Sequence, residues 1–293
     1  MHGVLNLSGK LGKLIICSTP IGNLGDITLR VIDVLKQVDL IVAEDTRRTQ
    51  KLLNHYGIKT LMLSYHKFNE KERTEQIIGR INQGANIALV SDSGTPAISD
   101  PGQVIISACI DSGIKVEIAP GADSVIPALV ISGFDTSSFC FYGFAPRVRG
   151  EIEKLALKLS DENRTVVIFE SPKRVVKLLT AFVNVFPKRN IALIRELTKV
   201  HEEVMRGSIE EVLRKISDKA IKGEVVLVIS GVQKKKVDDS IKGKDIIADL
   251  KDTGYELKKL GFSTKEIVKI LMWRYDIQRN LAYRISILVS GER

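Results

Sequence analysis

The sequence predicts an α/β protein made of two consecutive α/β domains and a small helical module. In the first part of the chain, short apolar strands alternate with amphipathic helices roughly every 25 residues, which is typical of a mostly parallel sheet. Each strand ends in polar residues, and segments that follow parallel strands gather at one edge of the sheet. The sequence therefore predicts a binding cleft at that edge of a domain over residues 14–132.

The longest of these polar segments follows the apolar strand at 86–90. Residues 91–102 contain two Gly, two Pro, three Ser and two Asp before a second apolar-periodic segment begins. An ordinary strand-to-helix turn needs only about two to six residues. A loop this long and this rich in hydrogen-bonding groups favours ligand binding over simple chain reversal.

The composition limits the class of protein. The chain is 44% hydrophobic but only 5% aromatic, which argues against a binder built on aromatic platforms. It has no long apolar run and no signal-peptide layout, so we expect a cytoplasmic protein with no membrane partner. Its three Cys and four His residues show no metal-ligand spacing, so we predict no metal site.

The rest of the chain reads as a second α/β domain over 137–233 and a helical module over 240–293, while residues 1–13 lack periodicity and are expected to be flexible. The net charge is +9, and residues 234–293 hold 14 Lys and Arg against 9 Asp and Glu. Three short basic helices are predicted there, resembling a helix-turn-helix. This surplus favours a polyanionic partner, although Lys-rich helices can also serve solubility alone.

The common nucleotide-binding and hydrolase signatures are missing. No G-x-x-x-x-G-K-[ST] segment occurs, and no G-x-G-x-x-G follows a strand. A G-x-S-x-G elbow is also absent from the sequence. These absences weigh against a P-loop enzyme, a Rossmann dinucleotide enzyme and an α/β-hydrolase.

Several polar blocks together resemble the tetrapyrrole methylase superfamily, and within it the branch that methylates ribosomal RNA. The blocks are Thr19-Pro20-Ile21-Gly22-Asn23, Ala43-Glu44-Asp45-Thr46-Arg47, Ser91-Asp92-Ser93-Gly94-Thr95-Pro96, Pro120-Gly121, Phe169-Glu170-Ser171-Pro172-Lys173-Arg174, Arg195-Glu196-Leu197-Thr198-Lys199 and Lys222-Gly223-Glu224. Thr95 stands where the wider superfamily carries Asp, and the first loop lacks the usual glycine-rich pattern. Both departures fit the RNA branch.

This resemblance implies methyl transfer from S-adenosylmethionine to the ribose 2′-oxygen of a cytidine in the decoding region of 16S rRNA. The substrate would be the rRNA or the small ribosomal subunit. A homodimer is implied, with the cofactor in a cleft between the two α/β domains. The implied cofactor-binding residues are Pro20, Ile21, Gly22, Thr95, Pro96, Ile98, Asp123, Ser124, Ser171, Leu197, Thr198 and Gly223.

A ribose hydroxyl is a weak nucleophile, so a nearby base would help the transfer. The candidates are Asp26, Glu44, Asp45, His66, Asp92 and Asp100. We favour the Glu44–Arg47 cluster as substrate-facing, and assign catalytic roles to Glu44, Asp45, Arg47 and Asp92. Glu44 or Asp45 could instead cap the following helix.

Basic residues at the strand ends are predicted to contact RNA phosphates, although each could be a solvated surface charge. They are Arg47, Arg48, Lys173, Arg174 and Lys199. Two other functions stay open at this point: a methyltransferase for a tetrapyrrole or a protein side chain, and a non-catalytic RNA-binding factor.

Overall fold

The computed structural model describes residues 11–218, 220–232, 244–275 and 277–291. They form two compact units, one running to Pro127 and including Glu196–Glu203, and the other formed by the remainder. The prediction placed 196–203 in the second domain and ended the first at 132, so the units divide the chain differently. None of the described helices is long and apolar enough to cross a membrane.

Five parallel strands form the sheet described in the first unit, in the order β3-β2-β4-β1-β5. These strands are β1 (Lys13–Cys17), β2 (Leu40–Ala43), β3 (Met62–Ser64), β4 (Ile87–Val90) and β5 (Lys115–Ala119). The helices are α1 (Leu29–Gln37), α2 (Thr46–His55), α3 (Glu70–Asn82), α4 (Gln103–Asp111) and α5 (Val125–Ser132), and the division between the units falls inside α5. The predicted parallel sheet is confirmed.

The inner strands β1, β2 and β4 are apolar on both faces, because helices cover both. Leu14, Ile87 and Leu89 pack in one core with α3 and α4. Ile15 and Ala88, one residue out of phase, pack in the other core with α1 and α2. This explains the continuous apolar runs that the sequence shows, since a strand buried on both faces has no polar alternation.

The amino terminus joins this sheet earlier than predicted. The predicted flexible segment 1–13 lies outside the described residues as far as residue 10. Lys13 already belongs to β1, and the backbone N–H of Gly12 donates to the carbonyl of Ile81 at 3.0 Å. Strand pairing therefore extends to Lys13.

The second unit contains a mixed sheet in the order β6-β7-β10-β8-β9. Its elements are β6 (Phe139–Phe144), α6 (Arg149–Ser160), β7 (Thr165–Glu170), α7 (Val175–Val183), β8 (Asn190–Arg195), β9 (Glu203–Ser208), α8 (Ile209–Ile216) and β10 (Val225–Ile229). β6 runs parallel to β7, whereas β10 is antiparallel to both β7 and β8. The three helices pack in one core with β7, β8 and β10.

Three helices end the described chain: α9 (Lys244–Lys259), α10 (Thr264–Tyr275) and α11 (Arg279–Ser290). They enclose a core of their own, which includes Leu250, Leu271 and Ile285. The Thr253 and Tyr275 hydroxyls share a hydrogen bond of 2.6 Å inside it. The three predicted helices are therefore present, whereas residues 240–243 of the predicted module lie outside the described residues.

We expect Ile87→Ala to lower the free energy of unfolding by about 2–5 kcal/mol, because a fully buried β4 side chain would leave a cavity. Leu61→Ala is the matched control, since Leu61 is 74% exposed, and its effect should stay within about 0.5 kcal/mol. Urea unfolding of both variants measures the difference. Equal destabilisation of the two would contradict this account of the core.

Candidate active site at the carboxyl edge of the first sheet

Two neighbouring strands of the first sheet, β1 and β4, connect in opposite directions along it. β1 leads through α1 to β2 on one side, and β4 leads through α4 to β5 on the other. The loops after β1 and β4 therefore leave towards opposite faces of the sheet, at the position where open α/β sheets bind ligands.

The loops after β1 and β4 are hydrogen-bonded to each other at this edge of the sheet. Thr19 and Gly94 exchange two backbone hydrogen bonds of 2.9 Å, forming a short antiparallel bridge. The Thr19 hydroxyl donates to the Ser91 carbonyl at 3.1 Å, and the Ser18 and Thr95 hydroxyls share a hydrogen bond of 2.8 Å. The two polar loops that the sequence singled out are therefore one braced structure.

A third segment, Glu196–Glu203, meets the first loop at Gly22. A Cβ atom at Gly22 would lie 2.4 Å from Cγ of Lys199 and 3.1 Å from Oγ1 of Thr198. The close approach of Lys199 leaves no room for a side chain at position 22 unless Lys199 moves. This contact joins Gly22 and Thr198, which the sequence placed in separate domains.

One buried polar atom at this contact, and one further along the loop after β1, lack a hydrogen-bond partner among the described residues. They are Oγ1 of Thr198 and Oδ2 of Asp26. Because a buried polar atom without a partner is costly, such atoms often mark where a ligand or water completes the hydrogen bonding. Both atoms belong to the segments predicted to bind the cofactor or to serve as the base.

Two of the acidic residues at this edge, Asp92 and Asp45, accept hydrogen bonds from the start of α2. Oδ1 of Asp92 accepts the backbone N–H of Asp45 at 3.0 Å, and its Oδ2 lies 3.3 Å from Nη1 of Arg48. The Asp45 carboxylate accepts from Nε and Nη2 of Arg47 at 3.0 and 2.8 Å, and also caps α2 through the Arg47 N–H. These bonds to Arg47 lower the pKa of Asp45 to about 2.

Glu44 and Asp100 behave in the opposite way. Burial, together with repulsion by Glu44, raises the pKa of Asp100 to about 6, and Ser91 offsets part of the rise. Burial and the charge of Asp92 likewise raise the pKa of Glu44. A base works best when its pKa lies near the working pH. Glu44 and Asp100 therefore suit that role better than Asp45, whose carboxylate is held by Arg47.

The other predicted cofactor residues divide between the two units. Those in the first unit are Pro20, Ile21, Gly22, Thr95, Pro96, Ile98, Asp123, Ser124, Leu197 and Thr198, whereas Ser171 and Gly223 lie in the second. In the first unit, Ile21, Pro96 and Leu197 are buried, and the Asp123 carboxylate accepts the N–H of Ile126 at 2.9 Å. In the second, the N–H of Ser171 donates to the Glu170 side chain at 2.6 Å.

The predicted RNA contacts are not equally exposed. The side chains of Arg47 and Arg48 are 88% and 67% exposed, and Lys173 is exposed as well. By contrast, Arg174 is half-buried and its Nη2 donates to the carbonyls of Ala145 and Pro146 and to the buried Glu170. Arg174 thus holds the loop after β6 to the end of β7, a structural role that its position in the sequence did not indicate.

Lys199 is the fifth of these predicted RNA contacts. Its Nζ pairs with Glu196 at 2.9 Å, and its stem packs against Gly22. Its position is therefore fixed by the first unit, and phosphate binding by Lys199 stays a prediction.

Comparison with known proteins identifies the class. Residues 13–213 match the family model "Tetrapyrrole (Corrin/Porphyrin) Methylases". The match runs from β1 into α8, so it covers the loops after β1, β2 and β4 and the segment Glu196–Glu203, and it ends before β10. The chain belongs to the tetrapyrrole methylase family.

Two relatives carry the name "Ribosomal RNA small subunit methyltransferase I". The protein from Thermotoga maritima is 44% identical over 221 residues, which cover 75% of this chain and 99% of the relative. The protein from Bacillus subtilis is 40% identical over 282 residues, covering 96% of this chain and 95% of the relative. The second match includes the C-terminal helices.

A solved structure shares the fold at low identity. It is the uroporphyrin-III C-methyltransferase from Thermus thermophilus, described as complexed with S-adenyl homocysteine. Its TM-score is 0.54 at 13% sequence identity, over 75% of this chain and 97% of that chain. The recognised resemblance to the tetrapyrrole methylases is thus confirmed, as is the α/β fold.

The coupling of Asp100 to Glu44 is directly measurable. Glu44→Gln should lower the pKa of Asp100 from about 6 towards its ordinary value of 3.8, because the neighbouring negative charge is removed while burial stays. Carboxyl ¹³C NMR titration gives the value in both proteins. Asp33→Asn, on the exposed face of α1, is the control that should leave the pKa of Asp100 unchanged. An unshifted Asp100 in Glu44→Gln would refute the coupling.

Proposed function

We propose that this protein transfers a methyl group from S-adenosylmethionine to the ribose 2′-oxygen of a cytidine in 16S rRNA. The proposal rests on its family, on two relatives named for ribosomal RNA methylation, and on the sequence blocks of that branch. The single observation that carries it is the pairing of braced polar loops with two carboxyls of raised pKa at the same sheet edge.

The first unit offers groups that fit the cofactor. Oγ1 of Thr198 and Oδ2 of Asp26 are buried without protein partners among the described residues, and a ligand with amino, carboxylate and ribose groups could satisfy them. The Thr19–Gly94 bridge holds the loops carrying Pro20, Ile21 and Thr95 in a fixed position. We propose that these residues bind the cofactor, which supplies an electrophilic methyl group when bound.

Asp100 is proposed as the base that accepts the ribose proton, with Glu44 tuning its pKa. Near neutral pH, a carboxyl of pKa about 6 is mostly ionised and is still far more basic than an ordinary aspartate. Asp92 and Asp45 are assigned positioning roles. Asp92 holds the first residues of α2 through the Asp45 N–H, and Asp45 orients Arg47.

Arg47 and Arg48 are proposed to bind phosphates of the RNA. Both lie in the first turn of α2, and their side chains are largely exposed while their carboxylate partners hold them in place. An exposed, pre-oriented guanidinium suits a phosphate oxygen, because it donates two hydrogen bonds in one plane. The small ribosomal subunit and a second copy of the chain are the proposed partners.

The proposal is tested with tritiated S-adenosylmethionine and small ribosomal subunits from a strain that lacks this enzyme. We expect the label in 2′-O-methylcytidine after nuclease digestion of the 16S rRNA. Label on a base or on a ribosomal protein would overturn the ribose assignment. If the cofactor binds by calorimetry but no subunit is labelled, the RNA substrate is wrong.

Asp100→Asn should lower kcat by about 10²–10⁴-fold, because an amide cannot accept the ribose proton. Cofactor affinity, measured by calorimetry, should stay unchanged. In the unaltered protein, kcat should rise with pH up to about pH 6 as Asp100 ionises. Asp111→Asn, at the far end of α4, is the control. Full activity of Asp100→Asn, with the same pH dependence, would remove Asp100 from the mechanism.

A further inference from the structure

Phe68 is an exposed aromatic residue that the fold does not require. It is 93% exposed and lies in the loop after β3, between Ser64 and the start of α3. An isolated apolar side chain on a surface is common. This one, however, is a large ring at the same carboxyl edge that holds Glu44 and Asp100.

The loop that carries Phe68 is fixed by its own hydrogen bonds. Oδ1 of Asn69 accepts the N–H of His66 at 2.8 Å, and its Nδ2 donates to the Ser64 carbonyl at 3.3 Å. The N–H of Phe68 donates to Nδ1 of His66 at 3.3 Å. The ring is therefore presented by an ordered turn, which reduces the entropy lost when a ligand binds to it.

The imidazole of His66 also restricts the ring. The two rings meet edge to face, with centroids 6.1 Å apart and planes at 65°. Since Phe68 keeps 93% of its surface exposed beside His66, ring surface remains open to a stacking partner.

Strand pairing sets this loop beside the cationic segment after β2. Ala43 and Ser64 are register partners, and the N–H of Tyr65 donates to the Ala43 carbonyl at 2.8 Å. The two loops therefore start one strand spacing apart, about 5 Å. The exposed Arg47 and Arg48 lie in the first turn of α2, directly after the loop that follows β2, and Lys67 next to Phe68 is also exposed.

We propose that Phe68 is a stacking platform for an unpaired base of the RNA substrate, next to the nucleotide that is methylated. This inference rests on the proposed RNA methylation and adds a specificity-determining residue to it. Cations next to a single exposed ring match a nucleotide strand, in which phosphates alternate with flat bases. A protein partner would call for a wider apolar patch than one ring flanked by charges.

The test compares Phe68→Ala, Phe68→Leu and Phe68→Trp with the unaltered protein in methylation of small ribosomal subunits. Phe68→Ala should lower kcat/KM for the subunit about 10–100-fold, mainly through KM, as expected for one lost stacking contact. Phe68→Trp should restore most of the activity because it offers a π-face. Phe68→Leu should not, since it is apolar without being flat.

Two measurements keep this reading separate from a folding defect. Cofactor affinity by calorimetry should be the same in all four proteins. Leu61→Ala, an exposed apolar residue before the amino end of β3, should leave kcat/KM unchanged.

Three results would overturn the proposal. Unchanged kcat/KM in Phe68→Ala, while the unaltered protein methylates the subunit, removes the stacking role and leaves the proposed function intact. Rescue by Leu as good as rescue by Trp means that Phe68 meets an apolar protein surface, either a ribosomal protein or a second copy of this chain. If the unaltered protein transfers no methyl group to the subunit, the proposed function fails and the platform fails with it.

Discussion

The parallel pairing of β1 with β4 is the constraint on which the rest of the first unit depends. From β1 the chain continues to β2, towards one edge of the sheet, whereas from β4 it continues to β5, at the other edge. The loops that leave these two neighbouring strand ends must therefore diverge. In-register pairing of Ile16 with Leu89 brings Ser18 and Ser91 to the same level of the sheet edge. The Thr19–Gly94 bridge joins the two loops directly after this point. It thereby fixes the backbone next to Gly22 in one loop and next to Thr95 in the other.

Four carboxylates at this edge of the sheet, three from Asp and one from Glu, differ in their surroundings. Asp45 accepts from the Arg47 guanidinium, which stabilises its ionised form, and Asp92 accepts from the Asp45 N–H and pairs with Arg48, which holds the start of α2 in place. Glu44 and Asp100 are half-buried beside like charges, which disfavours ionisation. Arg47, at the start of α2, thus makes Asp45 a positioning carboxylate, whereas Glu44 and Asp100 keep raised pKa values.

This arrangement has a cost in stability that depends on pH. The pKa of Asp100 is about 6 in the folded chain against an ordinary value of 3.8, so the folded state holds its proton more tightly. The stabilisation by this group is therefore complete below pH 3.8 and is lost as the pH rises through 6. Above pH 6 the ionised Asp100 is a burden on the fold, which is characteristic of groups kept for function.

The sequence was sufficient for the first sheet and insufficient for much of the rest. Apolar runs such as Leu40–Ala43 are unambiguous, because a strand buried on both faces leaves no other reading. β9, with the sequence Glu-Val-Met-Arg-Gly-Ser, was missed since an edge strand needs few apolar residues. The helices α7 and α8 were also not predicted: the apolar run of α7 does not distinguish a helix from a strand, whereas the capping box of Ser208 and Glu211 is a signal that predicts the start of α8.

The sequence was enough to predict which loops form the candidate site, but not which side chains contact each other within it. The blocks at 19–23, 44–47 and 91–96 do meet at one edge, as strand order requires. The choice of Asp100 over Asp92 could not be made from spacing, because it depends on burial and on the hydrogen bonds of Asp45 and Arg48. The contact of Thr198 with Gly22 depends on a segment that leaves the second sheet and joins the first unit.

Backbone strain marks the same two segments that the resemblance singled out. Among the described residues other than glycine, positive φ angles occur at Ala97, Ser99, Glu196 and Thr198. Such conformations cost about 1–3 kcal/mol each, and Thr198 at φ 66° is the most unfavourable because its side chain is branched at Cβ. A loop bears strain of this kind only when the surrounding contacts leave it no alternative. The Thr19–Gly94 bridge on one side and the Lys199–Gly22 contact on the other provide those contacts, so both strained segments are held in the shape in which a ligand would meet them.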